Sequence, residues 1–111
     1  MRALLIALLL GVTLLAQADS TYESITVANT SIGITTAITN PSGQPQQNRC
    51  LARLETASIR YRVDGTAPTS SEGILIEVGD TIEISGNTVA RIIRFIRTGS
   101  TSGVLKVSCW P

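Results

Sequence analysis

Short runs in which an aliphatic residue alternates with a polar one recur along this chain, and their period of two constrains the fold more than any other feature. Glycine, asparagine, serine or proline separates these runs, which cover residues 23–28, 32–39, 73–78, 81–85 and 104–110. Successive side chains of a β-strand point to opposite faces, so each run predicts a strand with one buried face. Beyond residue 18, no stretch of about 11 residues shows the 3.6-residue apolar period of an amphipathic helix.

A longer run, residues 50–63, changes the parity of its apolar residues partway along. Ala52 and Leu54 share one parity, whereas Ile59 and Tyr61 share the other. One extra residue reverses the facing of every side chain after it. We therefore expect a β-bulge or a bend between two sheets near residues 56–58.

The remaining run, residues 89–97, is apolar on both faces and predicts a central strand. At Gly79-Asp80 we expect either a three-residue loop or a crossing between sheets, because a two-residue hairpin would set Ile76 opposite Glu83. The seven runs with frequent turns between them predict an all-β fold. The expected architecture is a small antiparallel β-sandwich, immunoglobulin-like or jelly-roll-like, with about seven strands.

Residues 1–18, MRALLIALLLGVTLLAQA, predict a secretory signal peptide that is removed from the fold. Arg2 supplies the positive charge, and residues 3–16 form an apolar stretch shorter than the ~20 residues of a spanning helix. Ala16-Gln17-Ala18 places small residues at the positions that signal peptidase reads. We expect a single domain over residues 19–111, secreted or periplasmic. The alternative is that residues 1–18 stay on the protein as an uncleaved membrane anchor. The sequence suggests contact with a membrane only through this segment.

Cys50 and Cys109 are expected to form a disulfide. Each lies at the end of a predicted strand and shares the parity of that strand's apolar residues. An exported protein folds in an oxidising compartment, where thiols pair. Two free buried thiols are the alternative, since cysteine packs well as a small apolar residue.

The composition argues against an enzyme, a metal site, a cofactor and a nucleic-acid partner. The chain has no histidine, so it lacks the base of a Ser-His-Asp or Cys-His site and the imidazole ligands of zinc. Residues 19–111 carry eight basic and eight acidic side chains, without the basic excess of a nucleic-acid binder. The loop carboxylates lack the spacing of a calcium loop, and Glu77 and Glu83 are expected to point outward from neighbouring strands.

Arginine supplies seven of the eight basic side chains of residues 19–111, and five of the seven lie within residues 60–62 and 91–97. These five form a candidate interaction face that consists of Arg60, Arg62, Arg91, Arg94 and Arg97. The planar guanidinium group suits bidentate pairs and protein interfaces. The alternative is a solvated face whose charge is balanced by Glu55, Glu77 and Glu83.

The chain has four aromatic side chains, and their positions predict different environments for them. Tyr61 and Phe95 have the strand parity expected of core residues. Tyr22 and Trp110, near the two ends of the chain, are the candidates for stacking against a sugar ring.

A turn motif, Y-x-x-D-G-T-x-P-T, follows the third run, and its turn residues are Asp64, Gly65, Thr66, Pro68 and Thr69. Asp-Gly favours a turn with positive φ, and the carboxylate is expected to accept a nearby backbone N–H in an Asx turn. The motif, its flanks, and the segments YESITVAN (22–29), VGDTIEI (78–84) and FIRTGS (95–100) together resemble small proteins encoded among the structural genes of tailed bacteriophages and prophages. The resemblance spans about Tyr22–Trp110. The motif alone also resembles part of the immunoglobulin-like modules attached to secreted chitobiase-type glycosidases.

The phage resemblance implies a virion-associated or head-decorating β-sandwich that binds a protein surface, either a capsid or its own copies, and has no catalytic residues. The signal peptide and the cysteine pair depart from a family that assembles in the cytoplasm. We therefore expect an exported relative that uses the same fold outside the cytoplasm. The alternative function is a secreted module that binds carbohydrate or a cell surface.

Overall fold

The computed structural model describes residues 19–111, and the predicted signal peptide lies outside these described residues. Seven strands occur in this region: β1 (Thr21–Val27), β2 (Arg49–Glu55), β3 (Ile59–Arg62), β4 (Ile74–Ile76), β5 (Thr81–Ser85), β6 (Arg94–Arg97) and β7 (Gly103–Trp110). Two short helices accompany them: α1 (Thr36–Thr39) and α2 (Asn87–Ile92).

The strands form two antiparallel sheets, which confirms the predicted all-β fold. The first sheet has the strand order β1-β7-β2-β5, and the second has the order β4-β3-β6. Apolar side chains from both sheets meet in one core, whose fully buried members include Leu54, Ile59, Phe95, Leu105 and Val107. The alternation along β2 and β7 is therefore the pattern of strands with one face in the core and one in solvent.

Cys50 and Cys109 form a disulfide, as their parity predicts. They lie directly opposite each other on β2 and β7, with their Cα atoms 4.1 Å apart. Both residues are fully buried, and they are separated by 59 positions in the sequence. The bond therefore joins the two central strands of the first sheet and closes a long loop of the chain.

The break predicted within residues 50–63 is confirmed as a crossing between the sheets. β2 belongs to the first sheet and β3 to the second. Between them, Thr56 has a φ of 82°, in the left-handed region that β-branched residues rarely adopt. The chain crosses again between β4 and β5, which confirms one of the two alternatives expected at Gly79-Asp80.

The predicted strand over residues 32–39 is wrong. Ile32 makes a single β-bridge to Phe95, and the chain then turns into α1. Ile34 is buried, and Ile38 packs against the core. Residues four apart share a face both in a strand and in a helical turn, so this pair fits either structure.

The predicted central strand over residues 89–97 is also largely wrong, because α2 occupies its first half and β6 is an edge strand. Ala90 and Ile93 are buried, and Val89 packs against the same core. Spacings of three and four residues are those of a helix face. The helix has six residues, so it is too short to show a helical period over about 11 residues.

A buried polar cluster fixes the long loop between α1 and β2. The side-chain Nδ2 of Asn87 lies 2.8 Å from the carbonyl oxygen of Gln47 and 3.1 Å from that of Thr39. The backbone N–H of Gln47 donates to the same Thr39 carbonyl at 2.8 Å. All three residues are buried, so the loop is tied to α2 by hydrogen bonds that are shielded from water.

Candidate binding surfaces

The structure divides the five arginines of the predicted interaction face among three places. Arg62 and Arg94 lie opposite each other on β3 and β6, and Arg60 is two residues along β3 on the same outer face of the second sheet. Arg97 has the opposite parity on β6. Arg91 is exposed on α2. Three of the five arginines are thus brought together on one face.

Two of those three arginines hold the loop that follows β3. Arg60 donates to the carbonyl oxygens of Ser70, at 3.1 Å, and Gly73, at 2.9 Å. Arg62 donates to both carboxylate oxygens of Asp64, at 3.0 and 2.5 Å. The hydrogen bonds from Arg62 lower the pKa of the Asp64 carboxyl to about 2, and the same contact raises the pKa of Arg62. Both guanidinium groups therefore position the loop over residues 64–73.

The turn motif forms hydrogen bonds within its own loop. In the turn Asp64–Thr66, the carboxylate of the first residue accepts the backbone N–H of the third at 3.3 Å, which confirms the Asx turn. The glycine between them has a φ of 84°. Thr69 Oγ1 accepts the backbone N–H of Glu72 at 2.9 Å, and Pro68 is buried. The contacts of the motif shape the loop itself.

Exposed apolar side chains cluster at the short edge strand β4. Ile74 and Val78 are each 55% exposed, Leu75 is 45% exposed, and Val63 is 39% exposed. We call these four residues the β4 strip. Val63 and Ile74, together with Tyr61, also line an open depression of about 400 Å³. β4 pairs with β3 on one side, and within residues 19–111 no strand pairs with its other side.

A second surface, on the outer face of the first sheet, brings Tyr22 and Trp110 together. Tyr22 on β1 lies opposite Ser108 on β7, and Trp110 is two residues further along β7 with the same parity. Leu51 on β2 lies on the other side of Ser108. Tyr22 is 59% exposed, and Trp110 is partly exposed. Diagonal positions of an antiparallel pair are about 7–8 Å apart, within reach of aromatic rings. We call Tyr22, Leu51 and Trp110 the Tyr22–Trp110 face.

Glu77 and Glu83 do not lie on neighbouring strands, so that expectation is wrong. Glu77 follows β4 of the second sheet, whereas Glu83 lies on β5 of the first. Glu83 forms an ion pair with Arg49 at 3.5 Å. Asp80 accepts the backbone N–H of Glu77 at 2.9 Å. In the part of the chain that the structure describes, no three His, Cys, Asp or Glu side chains are grouped so as to hold a metal ion.

Sequence reasoning missed the β4 strip and did not foresee that Tyr22 and Trp110 share a face. The exposure of Ile74 and Leu75 arises because β4 lies at a sheet edge, which local alternation does not show. Tyr22 and Trp110 come from opposite ends of residues 19–111 and are joined by the register of β1 with β7. The sequence indicated the second surface only through two aromatic residues, one near each end of residues 19–111.

Comparison of the sequence with protein-family models and with curated proteins gave no match. Within residues 19–111, no helix has the length and apolar character needed to cross a membrane. The Cys50–Cys109 bond is of the kind that forms and persists in oxidising compartments.

Proposed function

We propose that this protein is a non-enzymatic binding protein, exported and of phage structural type, that acts by docking onto a protein surface. The observation that carries the proposal is the β4 strip. Its four apolar side chains are 39–55% exposed and lie around one strand. Single exposed apolar residues are normal, but several at one unpaired sheet edge form the kind of exposed apolar surface that an interaction site presents.

The edge of β4 can contribute to binding through its exposed apolar side chains and through its unpaired backbone groups. A partner that covers Leu75 and Val78 removes apolar surface from water, which stabilises the complex by roughly 25 cal/mol for each Å² buried. Backbone groups on the unpaired side of an edge strand accept an added strand. Arg60 holds the adjacent loop in place through Ser70 and Gly73, so less conformational entropy is lost on docking.

The resemblance of residues 22–110 to phage structural proteins supports a virion surface as the partner. Such a surface presents the same site many times, so many copies of this protein can dock on one particle. The disulfide is compatible with secretion, and the leader over residues 1–18 has the features of a secretory signal. The proposed location is therefore outside the cytoplasm, on the surface of a phage particle.

Co-sedimentation tests this function. Exported protein, purified from cells that express the full chain, is mixed with tailed-phage particles from the strain that encodes it, and the pelleted fraction is measured. Leu75→Glu places a charge in the β4 strip, and Thr26→Glu places the same charge on an exposed position of β1 as a matched control. We expect Leu75→Glu to weaken binding about tenfold or more, and Thr26→Glu to bind normally. The new carboxylate would lie opposite Arg60, and its removal from water under a partner is costly even when it is paired. Failure of the native protein to pellet, or equal pelleting of both variants, would contradict the proposal.

A second candidate function, carbohydrate binding, is favoured by the Tyr22–Trp110 face. Two aromatic side chains on one sheet face form a surface on which the apolar side of a sugar ring can stack. A glycan array tests this function with Trp110→Ala and Tyr22→Ala, and with Val78→Ala as the control on the other surface. Binding that is lost in the aromatic variants and kept in Val78→Ala supports it, and an array without signal counts against it.

A further inference from the structure

Two cations face each other at the middle of the first sheet. Arg53 on β2 lies directly opposite Lys106 on β7, and both have the outward parity. Like charges at opposed positions of an antiparallel pair destabilise the sheet. Within residues 19–111, neither cation has a carboxylate within ion-pair distance. Arg53 instead lies 3.4 Å from the Thr81 hydroxyl, and Lys106 donates to the Ser24 hydroxyl at 3.0 Å.

The remaining charges on this face compensate the two cations only in part. Arg49 and Glu83 pair with each other at 3.5 Å and cancel. Glu55 lies two residues along β2 from Arg53, and within the described residues it forms no ion pair. The outer face of the first sheet therefore has an excess of one positive charge, which comes from three cations and two carboxylates. The positive potential is concentrated where Arg53 and Lys106 meet.

The cation pair adjoins the aromatic surface. The row of residues next to it across the sheet consists of Tyr22, Ser108, Leu51 and Glu83, and Trp110 lies one row further. The Glu83 carboxylate in this row is paired with Arg49. A sugar ring has apolar C–H faces and a polar rim, so aromatic side chains and hydroxyl groups suit it together. Arginine and lysine suit carboxylate and sulfate groups. The same face thus has aromatic side chains for the sugar ring and cations for its acidic group.

We propose that this face binds an acidic polysaccharide. Sugar rings stack on Tyr22 and Trp110, and the carboxylate or sulfate of an adjacent unit lies between Arg53 and Lys106. This inference rests on the carbohydrate-binding function proposed above and names its ligand class. A single-stranded nucleic acid, which also stacks on aromatic rings and carries anionic groups, is the alternative outcome that the poly(dT) titration below tests.

Calorimetric titration of the exported protein tests the inference with four probes: polygalacturonate, dextran sulfate, uncharged dextran and single-stranded poly(dT). Each titration is run at about 50 mM and about 500 mM salt, because exposed charge pairs are screened at high salt. The double variant Arg53→Gln/Lys106→Gln removes the cation pair. Arg91→Gln/Arg94→Gln removes the same charge from α2 and β6 and serves as the matched control. Circular dichroism confirms that each variant is folded.

We expect polygalacturonate or dextran sulfate to bind more tightly than dextran at low salt, and the first double variant to weaken that binding about tenfold. The control variant should bind as the native protein does. Glu55→Gln should tighten binding, because it removes a carboxylate from the same face.

Four results would overturn the inference. Equal affinity for dextran and the acidic polymers would show that the ligand need not be acidic. If that binding were lost in Trp110→Ala, the carbohydrate-binding function would still stand. Tighter binding of poly(dT) than of either acidic polysaccharide would assign the face to nucleic acid. An unchanged affinity in Arg53→Gln/Lys106→Gln would show that the cation pair takes no part. Absence of binding to any of the three polysaccharides would remove both the inference and the carbohydrate function.

Discussion

Gly103 at the start of β7 packs against Ile59 at the start of β3, and this contact joins the two sheets. A Cβ atom at position 103 would lie 2.6 Å from Cγ2 of Ile59 and 2.7 Å from the carbonyl oxygen of Ala57. Real Cβ atoms do not approach other heavy atoms so closely. The crossing from β2 to β3 therefore depends on a glycine in a different part of the chain.

Gly103→Ala should lower the free energy of unfolding by about 1–3 kcal/mol, because an added methyl group forces the two sheets apart. Urea unfolding followed by circular dichroism measures the change. Gly99→Ala is the matched control, since a Cβ at position 99 meets nothing within 4 Å. Equal stabilities of the two variants would show that the sheets tolerate a side chain at position 103.

Replacement of both cysteines by alanine should lower the free energy of unfolding by about 4 kcal/mol. The bond between Cys50 and Cys109 spans 59 positions, and a cross-link over a loop of that length greatly restricts the unfolded chain. Urea unfolding of the native protein with and without a thiol reductant gives an independent value. A loss below about 1 kcal/mol in both measurements would contradict this role of the bond.

The alternation of aliphatic residues was sufficient to predict strands that have one face in the core. Leu105, Val107 and Cys109 are all fully buried, as their shared parity requires. The strand prediction failed where a strand and a helical turn place the same residues on one face, as they do for Ile34 and Ile38, which are four residues apart. The count of seven strands survives because one predicted strand is lost and the long third run is divided into two. The fold class was thus predicted correctly, although the strands predicted over residues 32–39 and 89–97 were wrong in whole or in large part.

Asn87→Ala should lower the free energy of unfolding by about 1–3 kcal/mol. Its side chain donates to buried carbonyl oxygens of Thr39 and Gln47, and loss of the donor leaves those acceptors without water to replace it. Asn48→Ala is the control, because Asn48 is exposed and, among the described residues, its side chain hydrogen-bonds only with the exposed Gln46. A thermal melt of both variants is the measurement, and a similar loss in each would contradict the importance of the buried cluster.

The contact of Arg62 with Asp64 should depend on pH in the acid range. The pKa of Asp64 in the folded protein is about 2, below its ordinary value of 3.8. A carboxyl group with a lowered pKa stabilises the folded state above its unfolded pKa, and this contribution is lost as the pH falls from about 4 to about 2. Carbon-13 NMR titration of the Asp64 carboxyl group measures the value directly.

Arg62→Gln removes the charged guanidinium group that donates to Asp64 and should return the pKa of Asp64 toward 3.8. Arg91→Gln removes the same charge from α2 and should leave that pKa unchanged. An Asp64 pKa that did not respond to Arg62→Gln would mean that another group lowers it.

The binding surfaces were less predictable than the core because they depend on which strands become neighbours. Parity places Trp110 on the outer face of its strand, but only the pairing of β1 with β7 brings Tyr22 beside it. Arg53 and Lys106 likewise fall in different runs and meet through the pairing of β2 with β7. Residues that act together on a sheet face are distant in the chain, so a period of two cannot group them.

Hydrogen–deuterium exchange of the protein, free and bound to phage particles, tests the central claim most directly. The proposed docking surface predicts slower exchange of backbone amides in residues 74–78 on binding, with residues 21–27 unchanged. Protection confined to residues 21–27 and 104–110 would place the contact on the first sheet instead. That result, or the absence of any protection, would contradict the claim that the protein docks through the β4 strip.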